Sequence, residues 1–149
     1  MNIEKMTVRV QKGLNQAYDI AVKNNNQQVD VIHLLSALVN QEDGLIPNIL
    51  EKMNISVASL NNSINIELNK LPQIHGEGIS SQGVTATRKV NEILIKAEEI
   101  SKEFKDAYIS VEHVMLAMME IEAKTNVGKI FKQFNLNKND FLNVLSKVR

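Results

Sequence analysis

Three histidines, a glycine-rich stretch and several adjacent carboxylates are the residues of this 149-residue chain whose types could support chemistry. A metal site calls for histidines at i, i+4 on one helix or for a compact Cys/His/carboxylate cluster. His33, His75 and His113 stand far apart and the chain has no cysteine, so no metal is expected. Gly78-Ile79-Ser80-Ser81-Gln82-Gly83-Val84-Thr85 has the glycine spacing of a phosphate-binding loop. Val84 stands where the phosphate-reaching lysine belongs and no strand precedes the stretch, which is therefore read as a connector. Serines and histidines share no spacing that suggests a nucleophile and its base. Pairs such as Glu98-Glu99 and Glu42-Asp43 read as solvated helix faces or turn residues, because general-acid work needs a perturbed environment. The chain is expected not to be an enzyme and to hold no cofactor.

A few residues invite a closer look. His33 and His113 occupy first helical turns, where a partly buried packing histidine is the favoured reading over a ligand. Met115, Met118 and Met119 read as core filling before a binding surface. Asp106 and Glu112 flank the turn into the helix that begins near Val111. Glu112 suits that position because a helix N-terminus favours negative charge, and a partner-binding role is the alternative.

The elements that must position these residues come in two copies. Displaced by 80 positions, Thr7, Val10, Leu14, Ala17, Ile20, Val31, His33 and Ala37 meet Thr87, Val90, Leu94, Ala97, Ile100, Val111, His113 and Ala117. After one inserted residue, Ile46, Ile49, Leu50, Met53, Asn54 and Ile55 meet Val127, Ile130, Phe131, Phe134, Asn135 and Leu136. This is a tandem duplication. Each copy reads as four helices, with caps at Thr7, Asp30 and Ser56 in the first and at Thr87, Ser110, Thr125 and Asn137 in the second. No strand-like alternation stands out. Repeat one is assigned to residues 5–70, a Gly/Pro-bearing linker to 71–85 and repeat two to 86–149. The expectation is an all-α fold of about eight helices with pseudo-twofold symmetry, its two copies sharing one apolar seam.

Composition sets the class of partner. Seventeen basic side chains balance seventeen acidic ones, which argues against nucleic acid or an anionic membrane. Apolar residues make up 44% of the chain but never run long enough to span a bilayer, and the opening residues lack a signal peptide's apolar core. A monomeric, cytoplasmic, helical interaction module is expected.

The pattern Val31-Ile32-His33-Leu34-Leu35-Ser36-Ala37-Leu38, matched by Val111-Glu112-His113-Val114-Met115-Leu116-Ala117-Met118, resembles the Clp N-terminal repeat. That domain opens the Clp family of AAA+ unfoldases, and the likeness runs over about residues 3 to 149. Lys5-Met6-Thr7, the segment from Gln11 to Ala17, Asn26 to Asp30, Leu38 to Gly44 and Leu71 to Ile74 are similar to the ClpB branch of disaggregating chaperones. The protease-feeding ClpC branch tends to carry Glu directly before the histidine in both repeats. Here Ile32 takes that place in the first copy and only Glu112 keeps it.

The resemblance implies a client-binding domain that engages apolar segments of unfolded or aggregated proteins and passes them to an AAA+ pore. It also implies a full protein that continues past Arg149 into two ATPase modules and a coiled-coil arm. ATP and Mg would belong to those modules, the assembly would be a hexamer, and the DnaK chaperone system would be its partner. The alternative it leaves is an adaptor- and substrate-docking domain of a ClpC/ClpA-type protease unfoldase. Positions matching the family's client groove are Thr7, Ile100, Asp106 and Glu112. Lys96 and His113 fall where some relatives are apolar, which implies a more polar groove.

Overall fold

Apolar residues at helical spacing build the first copy as α1 (Val8–Lys23), α2 (Val31–Val39), α3 (Leu45–Lys52) and α4 (Val57–Asn69), and all but α3, which starts after Gly44, are preceded by a capping side chain. The second copy follows as α5 (Arg88–Glu103), α6 (Val111–Met119), α7 (Asn126–Gln133) and α8 (Lys138–Val148). The computed structural model describes residues 3–74, 83–121 and 123–149. Thr7, Ser56, Thr87, Thr125 and Asn137 each accept the backbone N–H of the third residue of the following helix, as their types predict. Asp30 accepts from Val31 N.

The duplication reaches the backbone. Asn25 and Lys105 both take positive φ, of 57° and 60°, where α1 and α5 end. One residue later, Asn26 N donates to Ala21 O and Asp106 N to Ser101 O, both at 2.9 Å, which returns the chain in the same left-handed cap. Asn54 and Asn135 repeat this after α3 and α7.

All nine residues of α2 are buried, and α2 packs against α1, α3, α4, α5, α6 and α7. Contacts between the copies are reciprocal: α2 meets α7 as α6 meets α3, and α4 meets α7 as α8 meets α3. One core results. Val84 lies in it at 4% exposure, which leaves no place there for a phosphate-reaching side chain.

The chain is not free of strands. β1 (Gln28–Val29) pairs in parallel with β2 (Thr85–Ala86), in the register Gln28 to Thr85 and Val29 to Ala86. Two residues are too few for a period-two pattern, so this pair had no alternation to betray it. An isolated parallel bridge joins Met6 to Ile109. The two pairings are counterparts under the 80-residue displacement, and both cross between copies. Thr87 N donates to Val29 O at 2.9 Å; Thr7 N donates to Ile109 O at 3.0 Å. Each repeat therefore lays the segment before its first helix against the loop before the other repeat's buried helix.

The described ends of the assigned linker are also tied down. Ile74 N donates to Asn25 O at 2.8 Å and Asn26 Nδ2 to Pro72 O at 3.1 Å, while Thr85 lies in β2. His75 and most of the glycine-rich stretch, through Gln82, lie outside the described residues.

Candidate functional site

The two loops that precede α2 and α6 present the same frame with different chemistry. His33 and His113 are fully buried. Each accepts a backbone N–H at Nδ1, from Asp30 at 2.9 Å and from Ser110 at 2.8 Å. Nε2 carries the proton in both rings and donates to the loop, to Asn26 Oδ1 at 2.8 Å in repeat one and to Asp106 Oδ2 at 2.7 Å in repeat two. Burial pushes the His33 pKa below its ordinary value. These are packing histidines.

Charge separates the copies. In repeat one Asn24 to Gln28 are all amides, with Asp30 as the carboxylate that caps α2, and a pocket of about 170 Å³ lies beside them, lined among others by Asn26, Asp30, His33, Pro72, Ile74 and Thr87. In repeat two, Asp106 lies against the Arg149 guanidinium, which holds its carboxyl below the usual range. The same contact raises the arginine's pKa. Arg149 Nε also stands 3.7 Å from Glu112 Oε2, a carboxylate only 6% exposed. Phe104 completes the cluster, edge-on to the His113 ring with centroids 5.4 Å apart. Its own face lies 5.4 Å from Arg149 Cζ.

Of the four residues assigned to a groove, Asp106 and Glu112 come together through Arg149. Thr7 caps α1 by accepting from Val10 N at 3.3 Å, and its backbone joins the bridge to Ile109 in the loop that carries Asp106. Ile100, 3% exposed, belongs to the core beneath. Near the bridge in the chain, Ile3, Val8 and Tyr108 are each more than half exposed, as are Ile66 on α4 and Ile95 on α5. Lys96 pairs with Glu99 and Glu120, and Lys138 extends that ion-pair chain. Phe104 and Arg149 were missed by spacing arguments, because 43 residues separate Arg149 from its carboxylate partner.

Among the described residues no group of three His, Cys, Asp or Glu side chains could hold a metal ion, and no helix is long and apolar enough to cross a membrane.

In sequence and in fold the chain is similar to known proteins. The model of the Clp repeat (R) N-terminal domain matches residues 5–134. The chaperone protein ClpB of Clostridium perfringens is 60% identical over all 149 residues, which span 17% of that protein's length. In fold, the chain is similar to the Hsp104 N-terminal domain from Candida albicans, with a TM-score of 0.77 and 20% identity over 94% of this chain and 88% of that one. It is similar also to a ClpV N-domain solved in complex with a VipB peptide, with a TM-score of 0.71 and 17% identity over 97% and 89% of the two chains.

Proposed function

The chain belongs to the Clp repeat N-terminal domain family, and from that premise we propose that it is the client-engaging N-terminal domain of a ClpB-type disaggregating chaperone. The observation that carries the reading is the surface around the Met6–Ile109 bridge. There Ile3, Val8 and Tyr108 leave apolar area uncovered beside a loop that ends in an acidic cluster. An extended apolar segment of an unfolded protein fits such a face, with Asp106 and Glu112 biasing the choice of sequence. Thr7 and Ile100 hold the face in shape, one as a cap and the other from the core.

Burying two or three apolar side chains gains only several kcal/mol before ordering costs are subtracted, so a dissociation constant of about a micromolar or weaker is expected. Weak grip suits a domain that hands its client onward. The remaining machinery belongs to the longer protein of which such a domain is part: ATPase modules with ATP and Mg, a hexameric ring, cooperation with the DnaK system, and a cytoplasmic setting. Ile32 in the place of a first acid disfavours the protease-adaptor alternative.

Backbone NMR titration with an unfolded model client, reduced and carboxymethylated α-lactalbumin, tests the reading. Shifts should cluster at Ile3, Val8, Tyr108 and the Asp106 loop, and the native form of the same protein should cause few. Asp106→Asn should keep the fold, since Asn26 holds the corresponding place against His33 in repeat one, while changing client preference. Shifts confined to the opposite side of the molecule would overturn the proposal.

A further inference from the structure

Arg149 reaches from the end of α8 back to the loop before α6, across 43 residues of chain. Its guanidinium meets Asp106 Oδ2, Glu112 Oε2 and the face of Phe104. A planar cation placed between carboxylates and an aromatic ring satisfies the donor geometry and stacking that guanidinium prefers. Repeat one folds the same way without any of this. Asn26 and Ile32 stand in place of the two acids, and after α4 the Pro72 carbonyl accepts from Asn26. The charges on repeat two are thus additional to what the fold requires.

We propose that Arg149 is an intramolecular occupant of the acidic cluster, a latch that an unfolded client must displace to engage Asp106 and Glu112. The proposal rests on the reading that clients use this face. It predicts which clients feel the latch: those with a basic side chain next to their apolar segment compete with Arg149, and neutral ones do not. The arginine side chain is 35% exposed and that of Asp106 23%, so solvent and salt weaken the contact and a modest effect is expected.

The test uses two extended leucine-bearing peptides that differ at one position, arginine in one and the neutral isostere citrulline in the other. Each is titrated into the wild-type chain and into Arg149→Ala. The arginine peptide should bind Arg149→Ala about two- to fivefold more tightly than wild type. That gain should shrink as salt rises, and citrulline-peptide affinity should not change. Arg149→Lys, which keeps the charge without the planar fork, should fall between the two, and it carries the comparison if the alanine variant melts early. Equal affinity of the arginine peptide for both proteins, or an equal gain for both peptides, overturns the latch. If both peptides shift Ile3, Val8 and Tyr108 alike in every variant, the client face stands and only the latch falls. If neither peptide perturbs that face in any variant, both fall.

Discussion

Both ring nitrogens of His33 are committed, Nδ1 as acceptor from Asp30 N and Nε2 as donor to Asn26. Protonation would set an N–H at Nδ1 against the Asp30 N–H and place a charge in the core. Because the folded pKa is lowered, the unfolded state binds more protons at mildly acidic pH. Stability should be intact above about pH 6.5 and fall as pH drops below that ordinary histidine value. Melting temperature measured from pH 8 to pH 5 checks this, and His33→Gln should flatten the decline while lowering stability throughout. Asp106 works lower on the scale. Its depressed pKa contributes stability above the ordinary carboxylate range, and that contribution disappears as pH falls through and below it. The repeat comparison made the two histidines legible as equivalents, but it could not show their partners. Those partners lie seven residues upstream, across a turn whose left-handed residue is Asn25 in one copy and Lys105 in the other. An asparagine-rich run such as Asn24 to Asn26 signals a turn there, whereas nothing in the type of Lys105 does.

Helix starts were the most readable feature, since a cap is a local matter of one side chain and the next turn. Thr87 adds a long-range duty. Its hydroxyl accepts from Val90 N at 3.4 Å and donates to Asp30 Oδ1 at 3.1 Å, and so couples the start of α5 to the cap of α2 in the other copy. Thr87→Ala should cost about 1–2 kcal/mol in urea unfolding. Thr87→Ser, which keeps the hydroxyl, should recover most of it; equal losses for both would assign the effect to the methyl group. The strands were not readable. Their pairing depends on loops 57 or more positions apart meeting across a core, as Gln28 meets Thr85, and nothing within a two-residue segment encodes that.

Sharing of the core between the copies was expected from short amphipathic helices, and the burial of α2 gives it physical content. Three of the six helices packed on α2 come from repeat two. A chain cut back to residues 1–75 would leave Val31, Leu34, Leu35 and Leu38 without much of their cover, along with β1 without its partner. Such a fragment should lose cooperative unfolding and bind a hydrophobic dye, as measured by circular dichroism in denaturant and by dye fluorescence. A sharp transition with undiminished helicity per residue would show two independent units instead.

The crossed pairing of the two straps also sets an order of events during synthesis. When β2 emerges, its partner β1 has already been made, and the bond from Thr87 to Val29 can close at once. The first strap has no such partner waiting. Lys5 to Thr7 are made well before Ile109, which must follow before Met6 can be paired. With synthesis at about 5–20 residues per second, that wait lasts on the order of ten seconds. For that time the edge at Lys5 to Thr7 stands without its partner and is open to other chains.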